Sequence, residues 1–195
     1  MFKLDHLAVV CRDLAQGTDW LEARLGVQMQ PGGQHARFGT HNRLLGLADG
    51  LYLEVIAPDP AADVTGPRWF GLDDAPEVPR LGNWICQTDD LATHAATAGP
   101  AIALERGALR WQITVPDDGS LPEGGAFPTL IKWGAGITHP AQTLRPSGLR
   151  LTALHVYRAT PLGAAMDPRV TLHAEATRPA LEAHFDTPQG PKVLQ

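Results

Sequence analysis

One order of sequence patterns runs twice along this chain, and that repetition limits the folds open to it more than any single motif. In the first pass, residues 4–10 (Leu-Asp-His-Leu-Ala-Val-Val) alternate as a strand does. Asp13-Leu14 then opens a segment in which Leu14, Leu21 and Leu25 fall on one helical face, closed by Gly26. Asp13 suits the helix N-cap because its carboxylate can accept an unpaired amide proton, and Gly26 suits a left-handed stop. Three strand candidates follow at residues 27–30, 43–47 and 51–57, separated by Gly-rich or Asp-Gly turns, with Gly32-Gly33 read as one of them. The order is β-α-β-β-β.

The second pass restarts at residues 84–88 (Trp-Ile-Cys-Gln-Thr). Asp90-Leu91 repeats Asp13-Leu14, and Gly99 repeats Gly26 after a helix about one turn shorter. Residues 109–115 and 127–133 supply further strands. Recurrence of the whole order argues for a duplicated unit. The expected boundaries are a first βαβββ module over residues 1–58, a connector over 59–80, a second module over 81–134 and a C-terminal extension over 135–195 on the same domain. The connector region is marked by Pro58, Pro60, Pro67, Pro76 and Pro79 and has little apolar periodicity. The extension reads as strands at 149–156 and 170–173, a short helix around 159–166 and a terminal hairpin over 179–194, positioned to extend the sheet or to cover its open side.

Composition removes several function classes. With 195 residues and 44% hydrophobic content, the chain can bury its own core without staples. Lys and Arg number 16 against 21 Asp and Glu, so no basic field exists to hold nucleic acid or an anionic membrane surface. No apolar run approaches the roughly 20 residues that cross a bilayer, and residues 1–6 lack the apolar run of a secretion signal, so a cytoplasmic location is expected. Cys11 and Cys86, both beside apolar runs, fit reduced buried thiols. The absence of a P-loop, a dinucleotide fingerprint, a nucleophile elbow and a Cys-x-x-Cys leaves no nucleotide cofactor indicated.

Side-chain alternation picks out two residues. Along the first strand Leu4, His6, Ala8 and Val10 share one face, with Leu7 and Val9 opposite; along the fourth, Tyr52, Glu54 and Ile56 share a face opposite Leu53 and Val55. If the helix covers the Leu7/Val9 and Leu53/Val55 faces, His6 and Glu54 meet on the other side. A buried Glu54 requires a partner there. An imidazole and a carboxylate are borderline ligands, suited to Zn, Ni, Mn, Fe or Co.

These segments, together with residues 39–47 (Gly-Thr-His-Asn-Arg-Leu-Leu-Gly-Leu) and the Leu51 to Pro58 stretch, resemble the glyoxalase-like branch of the vicinal oxygen chelate superfamily, which includes glyoxalases, bleomycin-resistance proteins and dihydroxybiphenyl dioxygenases. The likeness spans about residues 4 to 133. It implies an α+β fold in which paired βαβββ modules form a curled mixed sheet around a cavity, with a C-terminal αβ extension. It further implies a divalent-metal or ligand site in that cavity, with His6 and Glu54 as metal ligands and Glu54 also as the catalytic carboxylate. The family's second-module ligand positions hold Asn83-Trp84 and about Ile131-Lys132 instead, so the missing ligand is sought in His41 or His139. Arg43, Tyr52, Trp84 and Trp133 are the candidate substrate-binding side chains. His35, His94, His155, His173 and His184 show no mutual ligand spacing and read as structural or surface residues. Two functions stay open: a metal-dependent lyase, isomerase or dioxygenase-type enzyme, and a non-catalytic, resistance-type protein that binds a small molecule in the same cavity. A homodimer is expected on the ground that curled sheets present pairing edges.

Overall fold

The first strand ends where Asp13 turns the chain into a helix. Its carboxylate accepts from the Gln16 amide at 2.8 Å, and Gly26 closes the helix in the left-handed region at φ 69°. The computed structural model describes residues 2–158, 162, 166–175 and 180–195. Its order is β1 (Lys3–Val10), α1 (Leu14–Leu25), β2 (Gln30–His35), β3 (Thr40–Gly46) and β4 (Tyr52–Pro58), then β5 (Arg80–Gln87), α2 (Ala95–Ala98), β6 (Ala101–Arg106), β7 (Leu109–Thr114) and β8 (Thr129–Trp133). The remainder is α3 (Pro140–Thr143), β9 (Arg150–Tyr157), β10 (Val170–His173), β11 (Leu181–Thr187) and β12 (Gly190–Leu194).

Strands β1 to β8 form one mixed sheet in the order β2-β3-β4-β1-β5-β8-β7-β6, so the second half repeats the first in mirror order. β1 runs parallel to β4 and β5 parallel to β8, while β1 and β5 join the halves antiparallel within one chain. The sheet curls until its two edge strands approach: Arg106 at the end of β6 donates through Nη1 to His35 Nε2 at the end of β2, at 3.1 Å.

Two apolar layers lie on opposite faces of this sheet. On the convex side Leu7, Val9, Leu53 and Val55 pack with Leu21 and Leu25 of α1. The inner face carries Ala8, Val10, Ile56, Ile85, Ile113 and Ile131, plugged by Trp69, Phe70 and Leu72 from the 59–80 connector. That stretch is therefore more than a link, since a 3-10 turn, Trp69–Asp74, buries it in the interior. The C-terminal strands neither extend the sheet nor close its open side. They build a separate sheet, β10-β9-β11-β12, whose Leu151, Leu154, Val156, Leu181 and Phe185 join the convex-side core with Leu4, Leu7 and Trp84. Each such side chain contributes roughly 1.5–3 kcal/mol by leaving water.

Two local expectations change. The second strand starts at Gln30 rather than Val27, and Gly32-Gly33 lies within it at a register shift between Pro31 and Gln34. The glycines are there for close approach: a Cβ on Gly32 would sit 2.2 Å from Asn42 Oδ1, and one on Gly33 2.8 Å from Arg106 Nη1. The helix expected around 159–166 falls almost wholly outside the described residues. Among the described residues no helix is long and apolar enough to cross a membrane. Both cysteines are free and buried, and burial pushes the Cys11 thiol up to about 12, which leaves it protonated and inert.

Gly17 shows how tightly α1 is seated. A Cβ there would come 2.3 Å from Cys11 Sγ and 2.8 Å from Val55 Cγ1. Alanine normally favours a helix over glycine, yet Gly17→Ala is expected to destabilise by about 1–3 kcal/mol through overpacking. A rise in the urea midpoint would refute this.

Candidate functional site

Strand β1 carries an irregularity that no pattern of alternation reveals. Its pairing with β5 jumps from Leu4 opposite Cys86 to His6 opposite Ile85, leaving Asp5 as the extra residue of a bulge. The bulge resets the alternation, so Leu4 faces the convex-side core with Leu7 instead of sharing the His6 face. Both Asp5 and His6 thus enter the polar cluster inside the curl, and both are almost wholly buried.

Asp5 is the hub. Its Oδ1 accepts from His6 Nδ1 at 2.5 Å. Its Oδ2 accepts from Gln87 Nε2 at 2.6 Å, Trp133 Nε1 at 2.9 Å and His139 Nε2 at 3.0 Å. Burial alone would raise the Asp5 pKa, but His139 and His6 outweigh it and hold the carboxyl well below its ordinary range. His6 stacks on Tyr52 at 4.2 Å between ring centres and 15° between planes. With Nδ1 committed to Asp5, its Nε2 stands 3.6 Å from Glu54 Oε1. The other Glu54 oxygen accepts from Asn42 Nδ2 at 2.6 Å, and Asn42 Oδ1 in turn accepts from the Gly33 amide at 2.8 Å. Burial lowers the His6 pKa, yet the two carboxylates beside it lift it to about 9, while His6 and Asn42 hold Glu54 below its ordinary value against burial. In the metal-free protein this is an Asp5-His6-Glu54 row with a positive centre.

Around the row stand His35, Leu44, Trp69, Phe70, Arg106, Trp111, Ile113, Ile131, Trp133 and Pro140, which enclose a hollow of about 40 Å³. That is space for an ion with a water or two, far below the roughly 300–1,000 Å³ of pockets that hold drug-sized ligands. His35 is neutral, because burial pushes its pKa down to about 4 despite the charge on Glu54. Its Nε2 accepts from Arg106, so Nδ1 carries the proton and donates to Thr40 Oγ1 at 3.0 Å.

The expected site residues divide by location. His6, Tyr52, Glu54 and Trp133 line the hollow, and His139 reaches its hub. Both His139 nitrogens are occupied, however: Nε2 donates to Asp5, and Nδ1 accepts from the Ala141 amide at the start of α3. It therefore buttresses Asp5 and offers no lone pair toward Glu54. His41 and Arg43 point to the other side of β3, into an outer groove with Arg12, Asp59 and Arg68, because Asn42 and Leu44 take the inward positions. Trp84 is fully buried on the convex side and donates to the Gly125 carbonyl, so it does not touch the cavity. In the second module the inward polar pair is Asn83 and Thr129, bonded to each other at 2.9 Å. Among the described residues, no further His, Cys, Asp or Glu ligand atom joins His6 and Glu54 within 4.8 Å.

Sequence reasoning passed over Asp5, Asn42, His35 and Arg106. Asn42 was within reach, since alternation places it with Leu44 and opposite His41 and Arg43. Asp5 needed the bulge, and the meeting of His35 with Arg106 needed the curl of the whole sheet.

The sequence matches the family model for a glyoxalase-like domain over residues 4–170. No curated protein matches it significantly. A crystal structure of a hypothetical protein from Staphylococcus aureus is similar at TM-score 0.50 and 14% identity, covering 82% of this chain and 70% of that chain. Methylmalonyl-CoA epimerase from Mycobacterium tuberculosis is similar at TM-score 0.39 and 19% identity, covering 67% and 85%. A Streptomyces coelicolor methylmalonyl-CoA epimerase variant in complex with 2-nitronate-propionyl-CoA gives 0.40 and 19%, covering 66% and 94%. At these identities the likeness concerns the fold alone.

Proposed function

The chain belongs to the glyoxalase-like domain family, and from that premise we propose that its interior site holds a divalent ion on His6 and Glu54 and takes a small oxygen-bearing molecule against it when the edge strands joined by Arg106 and His35 part and widen the hollow. One observation carries this reading: His6 Nε2 and Glu54 Oε1 are 3.6 Å apart while His6 Nδ1 is held by Asp5. Two ligands on one tetrahedral ion lie about 3.4 Å apart, and a carboxylate behind a ligating imidazole is the usual outer support of such a ligand. The donor set suits Zn, Ni, Mn, Fe or Co. With two protein ligands, the other positions stay open to a substrate with adjacent oxygens.

Such an ion would polarise a substrate oxygen. The chain's own groups do the rest. Glu54, held below its ordinary pKa against burial mainly by His6 and oriented by Asn42, would take a proton from the carbon next to that oxygen. Trp69, Trp111 and Trp133 exclude water from it. Among lyase, isomerase and dioxygenase chemistries, a buried ionised base favours proton transfer, and hence an isomerase or lyase. The competing reading, a binding protein without catalysis, draws support from Asn83 and Ile131 at the second-module positions, neither of them a carboxylate or imidazole, and from the lack of a third ligand among the described residues.

Metal analysis of untagged protein, with a turnover screen over hemithioacetals of α-keto aldehydes, catechols and epimerisable acyl-thioesters, separates the two. The enzyme reading expects bound metal and turnover that both fall in His6→Gln. Metal content and turnover identical to the parent in that variant would sink it.

Entry to the hollow is expected to depend on the contact between Arg106 and His35 that holds the two edge strands together. Arg106→Ala should make the interior tryptophans more accessible, read as steeper acrylamide quenching of fluorescence. Quenching unchanged from the parent would show that the edges part elsewhere.

A further inference from the structure

The outward face of the C-terminal sheet gathers three of the five histidines that showed no spacing in the sequence. β9 and β11 pair antiparallel with His155 directly opposite Glu182, and His184 follows Glu182 by two positions on the same face. β10 brings His173 beside them. One ligand atom each from His155, Glu182 and His184 lies within 4.8 Å of the other two, the only such trio among the described residues. We propose that His155, Glu182 and His184 form a second divalent-metal site, separate from the interior cavity and independent of the reading given to it.

The surroundings resemble the outer support of a metal site more than a chance surface cluster. His155 is engaged through Nδ1 with His173 Nε2 at 2.9 Å, and His173 stacks on Tyr157 at 4.7 Å and 18°. Glu182 Oε2 accepts from Gln195 Nε2 at 2.5 Å, which leaves Oε1 facing His184 Nε2 at 2.8 Å. The rings of His173 and His184 each lie with their centres 5.0 Å from that of His155. Three imidazoles this close around one carboxylate repel one another when protonated but make a good donor set when neutral. Two imidazole nitrogens and one carboxylate oxygen select borderline transition metals over Ca or Mg. An ion would take the place of the His184-Glu182 hydrogen bond, with the ligands moving to about 3.4 Å from one another. Access is open, since the His184 side chain is 37% exposed.

The test uses full-length untagged protein stripped with a chelator and titrated with Zn²⁺ against a chromophoric competitor. To remove the interior site from the count, the titration runs in Glu54→Gln. One equivalent should bind there, and its affinity should fall at least roughly tenfold on adding His155→Ala with His184→Ala. The outer-support change His173→Ala should weaken it by about tenfold. Because these side chains are only half-buried, melting in chelator should match the parent. Glu182→Gln, with its smaller steric change, serves if the double variant does not fold. Zn²⁺ should also shift the ring NMR signals of His155 and His184 in the parent. Absence of any equivalent in Glu54→Gln, or Zn²⁺ affinity unaltered by the His155, His184 and Glu182 changes, overturns the proposal. Failure of the interior reading instead leaves a single equivalent in the parent that Glu54→Gln does not alter.

Discussion

Replacing Asp5 with alanine is expected to lower folding stability by about 3–5 kcal/mol, the range for removing one member of a buried charged pair. Four donors lose their acceptor at once: His6 Nδ1, Gln87 Nε2, Trp133 Nε1 and His139 Nε2. His6 cannot turn to water, because it is almost wholly buried, while the part-buried Gln87, Trp133 and His139 recover only some of what they lose. Asp5→Asn should cost less, since an amide oxygen still accepts while its NH2 group faces donors. Urea denaturation in chelator reads both, and a loss under about 1 kcal/mol for Asp5→Ala would contradict a hub that holds four partners.

The same variant carries a pH signature. Asp5 titrates below its ordinary 3.8 in the folded chain, so its contribution is present above that value and is lost as pH falls further. His6 titrates at about 9 against an ordinary 6.5, so its contribution is complete below 6.5 and is lost as pH rises through 9. The stability gap between the metal-free parent and Asp5→Ala is thus expected to be widest between 3.8 and 6.5 and to narrow toward 9. A gap that widens from neutral pH upward would show that His6 is not charged between its two carboxylates.

Glu54→Gln is expected to act on binding far more than on folding. The amide oxygen can still accept from Asn42, and His6 keeps Asp5, so the stability cost should be about 1–3 kcal/mol. The negative ligand and the base disappear together. Affinity of the interior site for an added divalent ion should fall by about 100-fold or more, beyond what outer-support changes cost, and turnover should be lost with it. Calorimetric titration in a His155→Ala, His184→Ala background isolates that site. Interior metal affinity within a factor of two of the parent would remove Glu54 from the ligand set.

Much of the fold was legible because its determinants are local. Asp13 and Gly26 bound the first helix through cap geometry that depends on a few neighbouring residues. The Tyr52, Glu54 and Ile56 face follows from the two-residue period of a regular strand, and β4 is regular. Where strands are irregular, that reasoning fails. Gly32-Gly33 looks like a turn by composition, but within a strand Asn42 leaves no room for a Cβ at Gly32 and the Arg106 side chain crowds one at Gly33. His41 and Arg43 looked functional by type, yet their parity in β3 sends them outward.

By itself, then, the sequence determined the order of elements save the uncalled strand β6 (Ala101–Arg106), their duplication, the two apolar layers and the shared face of His6 and Glu54, since period and capping are properties of short stretches of chain. Tertiary structure decided what those two residues meet. The bulge that turns Asp5 inward exists only in the pairing of β1 with β5, and the His35 to Arg106 contact exists only because eight strands curl until their edges touch. The outer cluster likewise depends on the register that sets His155 against Glu182. Register and closure are settled by partner strands far along the chain, so no local pattern encodes them.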